Sequence, residues 1–176
     1  MTTQANPVQL QSSTTTHISR RSGEMRVIEL ILGDRIFAID LFDTREVINQ
    51  TDITPLPDAP AYITGIINLR GIITTILDLR KLMKIESTVE TSKKQRIIVL
   101  DTTITKKAIG ILVDDVISVS NYSEDDIDRE NNNSRTGKSR LGVIRKHGKE
   151  TGEKADTQLI ILIDIEQIIR SVEKTL

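Results

Sequence analysis

Leu56-Pro57-Asp58-Ala59-Pro60-Ala61-Tyr62-Ile63-Thr64-Gly65-Ile66-Ile67-Asn68-Leu69-Arg70-Gly71 runs directly into Ile72-Ile73-Thr74-Thr75-Ile76-Leu77-Asp78-Leu79. Pro55, Pro57 and Pro60 each fix their own φ and turn the preceding residue away from helix, so Thr54 to Pro60 is extended chain. Pro60 to Thr64 reads as one helical turn, with Gly65 as its C-terminal stop. Gly65–Leu69 and Ile72–Leu77 read as paired strands across a turn at Arg70-Gly71, where glycine takes positive φ without Cβ strain. Period two sets Asn68 and Arg70 on the same side of their strand as Ile66. Asp78 to Met83 follows as a short helix and Glu86 to Lys94 as a polar connector.

Towards the N-terminus, Arg26 to Leu32 is a mostly apolar strand. Gly33-Asp34 after it suits a two-residue hairpin loop. Phe37, Ile39 and Leu41 then share a face while Asp40 points the other way. Asp43 to Gln50 fits a short strand or a helical turn equally well. Towards the C-terminus, Arg96–Leu100, Lys107–Val113, Val116–Val119, Arg140–Arg145 and Leu159–Ile163 read as further strands. The run Ala108 to Val113 alternates as expected of a strand packed on both sides. Asp164 caps a final helix, with Gln167 in capping-box position and Ile165, Ile168, Ile169 and Val172 on one face. The polar segments Asp128–Ser139 and Lys146–Thr157 read as mobile loops.

Composition agrees. Among 176 residues there are 28 isoleucines, 15 leucines, 10 valines, four aromatics and no tryptophan. Isoleucine is stiff at χ1 and suits a pleated surface better than a helix. Roughly nine short strands in two clusters point to an all-β fold of two small barrels sharing a core. With 24 basic and 25 acidic side chains, the net charge is −1, so no overall basic field draws the chain to nucleic acid or anionic lipid. The absence of cysteine excludes disulfides, a thiolate nucleophile and cysteine metal sites. The first 23 residues hold no apolar run of signal-peptide length, and no stretch of 18 apolar residues exists to span a bilayer. A soluble cytoplasmic protein with a loose N-terminal tail is the expectation.

No catalytic constellation emerges. Gly137-Lys138-Ser139 ends like a phosphate loop, but Asn132 stands where the first glycine is needed and no strand precedes it. The acidic run Glu124 to Glu130 lacks the glycine and the twelfth-position glutamate of a calcium loop. Asp114 and Asp115 are adjacent, so in a strand they face apart. His17 and His147 have no partner at metal-ligand spacing, and no nucleophile-elbow pattern supports a hydrolase. An oligonucleotide-binding barrel needs a basic groove and stacking aromatics, which this charge balance and four aromatics do not supply.

The proline-spaced block ending in Asn68-Leu69-Arg70-Gly71 closely resembles the CheW family of chemotaxis coupling proteins. Agreement in order and spacing comes from Phe37-Ala38-Ile39-Asp40 with Arg45-Glu46-Val47, from Gly110 to Val116, and from Leu159 to Ile169. The resemblance runs from about Glu24 to Val172. It implies two intertwined five-stranded SH3/OB-like β-barrels with short helices and a C-terminal helix. Residues 1–23 would then be a disordered tail and 24–172 the family domain. One subdomain would cover about 30–85, and a second about 90–164 plus the N-terminal strand, leaving 173–176 as the C-terminal end.

The same resemblance implies a non-enzymatic, cofactor-free adaptor. It would bridge the cytoplasmic tips of chemoreceptors to the regulatory domain of the histidine kinase CheA at membrane-bound receptor arrays, without itself entering the membrane. Positions matching coupling residues of the family are Glu46, Gly65, Asn68, Arg70 and Gly71, with Thr44 and Val47 beside them. On physical grounds Ile66 and Val47 belong near an apolar centre, with Arg70 and Glu46 at its polar edge. The family usually carries proline where Thr75 stands, so a local change is expected there. The alternatives are a CheW-type adaptor of a non-chemotactic kinase pathway and an oligonucleotide-binding barrel.

Overall fold

The computed structural model describes residues 23–86, 95–129, 140–147 and 157–173. The expected tail, the interior of the 86–94 connector and most of the two polar segments lie outside the described residues. In chain order the strands are β1 (Glu24–Leu32), β2 (Arg35–Asp40), β3 (Thr44–Asn49), β4 (Ile63–Leu69), β5 (Ile72–Asp78), β6 (Arg96–Leu100), β7 (Ile109–Val113), β8 (Asp115–Ser123), β9 (Ile127–Asp128), β10 (Arg140–His147) and β11 (Thr157–Ile163). Helix α1 (Leu79–Met83) follows β5, and α2 (Ile165–Val172) follows β11.

The strands form two mixed sheets, one of six strands in the order β8-β1-β2-β11-β10-β9 and one of five in the order β3-β6-β7-β5-β4. The sheets do not divide the chain at 85–90. β6 and β7 lie in the same sheet as β3, β4 and β5, and the return to the six-stranded sheet comes at Asp114, between β7 and β8. Of the two strands beyond the nine expected, β3 resolves the ambiguity at 43–50: Leu41–Asp43 is a single 3-10 turn capped by Asp40, and a strand begins at Thr44. The other, β9, is two residues long and too short to leave a periodic signal.

Period two explains why the sheets associate. Along β6, Ile97 and Val99 pack with Ile67, Ile76 and Leu112 inside the five-stranded sheet. The alternate residues Ile98 and Leu100 turn outward to a larger shared core. Along β2, Phe37 and Ile39 enter that shared core, whereas Ala38 joins Val27, Tyr122, Ile144, Ile160 and Leu162 inside the six-stranded sheet. β7 is buried at every position. Gly110 occupies an inward position there because a Cβ would come within 2.9 Å of Ile76 and Ile97 side-chain atoms. Helix α2 covers the shared core with Ile165, Ile168 and Ile169, and Asp164 caps it by accepting the Gln167 N–H at 2.9 Å.

The crossing between sheets is pinned electrostatically. The Asp114 carboxylate, nearly buried, accepts the Gly33 N–H of the β1–β2 hairpin at 2.6 Å and pairs with Arg80 of α1 at 3.3 Å. Its neighbour Asp115 faces elsewhere and pairs with Arg96 at 3.5 Å. Thr75 donates its N–H to Ala108 O at 2.9 Å, a bond that proline cannot make, so the restored N–H lengthens the β5–β7 ladder.

Two expectations fail in the deciding segment. Thr54 to Pro60 is not extended throughout, because the chain turns at Pro57-Asp58 with Asp58 at φ 56°. Pro60 to Thr64 is not helical; the Ile63 N–H closes a turn onto Pro60 O, and β4 starts at once. Gly65 is therefore no helix stop but an interior strand residue at φ +150°. There the returning chain lies against β4 through Thr54 and Ile66, which exchange both backbone hydrogen bonds at 2.9 Å. A Cβ on Gly65 would sit 2.2 Å from Thr54 O.

Two stability measurements check this packing. Ile111→Ala, at a fully buried shared-core position, should cost roughly 2–5 kcal/mol in denaturant unfolding; a near-wild-type curve contradicts the two-sided burial of β7. Gly65→Ala should cost roughly 2 kcal/mol or more, because backbone rather than a flexible side chain blocks the added methyl.

Candidate functional site

The β4–β5 hairpin turns on two residues. Leu69 pairs with Ile72, and both loop residues have positive φ, 52° at Arg70 and 87° at Gly71, as a type I′ turn requires. Asn68 supports the turn from within by accepting the Gly71 N–H on Oδ1 at 2.8 Å. Glycine takes this conformation freely, whereas a Cβ-bearing residue there is held against a cost of order 1–2 kcal/mol. Sequence reasoning assigned positive φ to Gly71 alone; the arginine shares it.

Arg70 is in turn fixed by Glu46. Its two terminal nitrogens meet the two carboxylate oxygens at 3.0 and 3.3 Å, a fork-to-fork pair. Glu46 belongs to β3 and Arg70 to the β4–β5 turn, and β3 and β4 are the two outermost strands of the five-stranded order. An ion pair between them means that the sheet curls until its ends meet. The Arg70 side chain is 75% exposed and Glu46 only 21%, so the guanidinium stands above a largely sheltered carboxylate. At this exposure the pair is worth about 0.2–1 kcal/mol. Its geometry matters more than its energy: it aims the remaining guanidinium donors outward.

The other expected residues surround this pair. A register shift between Thr44 and Glu46 bulges β3 at Arg45, after which Glu46 lies opposite Val99 and Val47 opposite Ile98. Val99 packs inside the sheet and Ile98 in the shared core, so Glu46 and Val47 occupy opposite faces, and Val47 is exposed. The Thr44 hydroxyl is buried without a hydrogen-bond partner among the described residues. Gly65 lies on β4, buried under the Thr54 crossing. Ile66 is half-buried, with Asn68 exposed two residues on along the same face.

Sequence reasoning placed Arg70 and Glu46 together at an edge without foreseeing that they pair. It also missed Ile72 and Ile73, both exposed beside the turn, with Ile73 opposite Asn68 in register. Their signal was weak, because Ile72-Ile73-Thr74-Thr75 alternates on neither face. Among the described residues no group of His, Asp or Glu side chains is placed to hold a metal ion, and no helix is long and apolar enough to cross a membrane.

Comparison with known proteins agrees with the fold. The family model described as the CheW-like domain matches residues 26–173. The chain is 32% identical over 149 residues to the chemotaxis protein CheW of Thermotoga maritima, covering 85% of this chain and 90% of that one. It is 27% identical over 151 residues to CheW of Treponema pallidum, covering 85% of each. Among solved structures, the scaffolding protein TtCheW of Thermoanaerobacter tengcongensis superposes with a TM-score of 0.67 at 29% identity, covering 82% of this chain and 92% of that one. A family match spanning nearly all the described residues, relatives of about 30% identity over most of the chain and a shared fold of two β-sheets make this chain a member of the CheW family of chemotaxis scaffold proteins, which are not enzymes.

Proposed function

We propose that this chain is a cytoplasmic adaptor that couples the tips of chemoreceptors to the regulatory domain of the histidine kinase CheA. Contact would run through Thr44, Glu46, Val47, Asn68, Arg70 and Gly71, with the buried Gly65 shaping the strand beneath them. The observation that carries this reading is the Arg70 turn. A non-glycine residue is held at positive φ and its side chain is oriented by a sheltered carboxylate. Together they return little stability to the chain that bears them. Strain kept at an exposed, preoriented cation is the signature of a surface shaped for a partner.

The surroundings suit a helical receptor tip. Such a helix offers an apolar stripe with charges beside it. Val47, Ile72 and Ile73 supply exposed apolar surface near the rim, and Arg70 offers donors to a carboxylate or to helix C-terminal carbonyls. Asn68 and Gly71 keep the turn rigid, so fewer rotamers need freezing on association.

Arg70→Ala and Arg70→Gly separate fold from coupling. Each should change unfolding free energy by no more than about 1 kcal/mol, since alanine keeps the positive-φ cost and loses only an exposed ion pair, while glycine offsets that loss by relieving the cost. Each should sharply reduce recovery of the ternary complex when tagged protein is mixed with a receptor cytoplasmic fragment and CheA. Full recovery by both variants, with wild-type circular dichroism, overturns the assignment of Arg70 to the interface.

A further inference from the structure

The six-stranded sheet contains an acid in an unusual place. Glu29 of β1 is 1% exposed and shares the inward face with Val27, inside the curl of the sheet. Its carboxylate accepts the Tyr122 hydroxyl from β8 at 2.6 Å and the Lys146 ammonium from β10 at 2.9 and 3.1 Å. β10 stands three places from β1 in the strand order, so the Lys146 pair crosses the interior instead of following the ladder.

This strut spans the weakest seam in the sheet. β9, β10 and β11 form one antiparallel group, and β8, β1 and β2 form another. Among the described residues the one ladder that joins the groups is the parallel β11–β2 ladder, which has two residue pairs, Ile161 with Phe37 and Leu162 with Ala38, while the 3-10 turn Glu124–Asp126 carries the chain from β8 into β9. Lys146 sits away from that ladder, opposite Gln158 towards the far end of the β10–β11 hairpin. Among the described residues, apolar packing, the Lys146–Glu29 contact and, beside β9, the exposed Arg129–Glu124 pair at 3.2 Å hold the group of β9, β10 and β11 down.

We infer that β9, β10 and residues 157–160 of β11 form a hinged strap, pivoting at the Ile161–Leu162 ladder and latched by Lys146 on Glu29, which opens as a unit while the five-stranded sheet and shared core stay folded. Removing Lys146 strands a buried carboxylate, the costly way to break such a pair. Opening returns Glu29 to water and uncovers Val27, Ile144 and Ile160. Cooperative local opening at a weakly attached supersecondary unit is a general property of folded chains. The inference is independent of the coupling role, since none of these residues belongs to the candidate interface.

The latch has a pH dependence with a definite sign. Burial raises the Glu29 carboxyl, but hydrogen bonds from Ser120, Tyr122 and Lys146, with the Lys146 charge, outweigh it and hold the group below its ordinary value of 4.5. Its contribution is therefore present above pH 4.5 and is lost as pH falls through the depressed value. Burial and the Glu29 carboxylate push the Tyr122 phenol upward, with Asp126 adding to the push, so this hydroxyl remains a donor at neutral pH.

Amide hydrogen exchange on the full chain, read by mass spectrometry, tests the strap. Lys146→Met should speed exchange about tenfold or more across 140–147 and 157–160, leaving 96–100 and 109–113 unchanged. Lys146→Arg should keep near-wild-type protection. Glu29→Gln combined with Lys146→Met should open the strap no further than Lys146→Met alone. Wild-type protein should lose protection in these two segments first as pH is lowered below about 4.5. Uniform acceleration along the chain, or no change in the strap, overturns the inference. If Lys146→Met fails to fold, the wild-type pH series decides by the same two outcomes.

Discussion

Everything else in this molecule depends on strands being covered on both faces. β1, β2, β6, β7 and β11 each send alternate residues into the interior of their own sheet and into one core shared by both sheets. A strand so placed cannot slip by one residue without exchanging its two apolar faces between cavities of different shape. The isoleucine-rich composition answers this demand: a β-branched side chain with few rotamers fills a narrow pleated interior at small entropic cost. It also explains why so few aromatics suffice. Three thin cores need many medium-sized side chains rather than a few large ones.

Each curled sheet is stapled by a glutamate and a cation, yet the two staples differ in character. Glu46–Arg70 is a rim pair with the arginine in solvent; it adds little to stability and preserves a shaped turn. Glu29–Lys146 lies with its carboxylate inside the six-stranded sheet, where its loss leaves an unsolvated charge. One sheet thus closes through a contact at its solvent-facing rim, and the other through a contact whose carboxylate lies inside it.

Much of this was legible in the sequence, for physical reasons. The Gly33-Asp34 and Arg70-Gly71 turns, the alternation at 108–113 and the Asp164 cap are local signals that appear where local chemistry puts them, whereas the prolines at 55, 57 and 60 leave room for a turn at Asp58, whose φ is 56°. The helical turn expected at 60–64 failed because Gly65 was read as a stop, whereas the real demand on it came from Thr54, eleven residues away and unseen by any local pattern. Sheet membership was hidden likewise: nothing in Arg96–Leu100 says that it pairs with Thr44–Asn49. At the site, Arg70 and Glu46 were found through the resemblance, but their pairing requires the curl of a whole sheet. Glu29 looked like the polar break in an apolar strand, and only the register of β1 with β8 shows that it points inward.

The five-stranded sheet is continuous in sequence, from Thr44 to Val113, and is enclosed between the strands of its partner, which come from both flanks. During vectorial synthesis the inner sheet is therefore complete before β8 to β11 have left the ribosome. Its outward isoleucines then face an unfinished neighbour of two strands. The nascent chain passes through a stage with a finished half displaying a greasy face, partly covered by β1 and β2 and fully covered once β11 and α2 arrive. Chaperone dependence, if the cell imposes any, belongs to that interval.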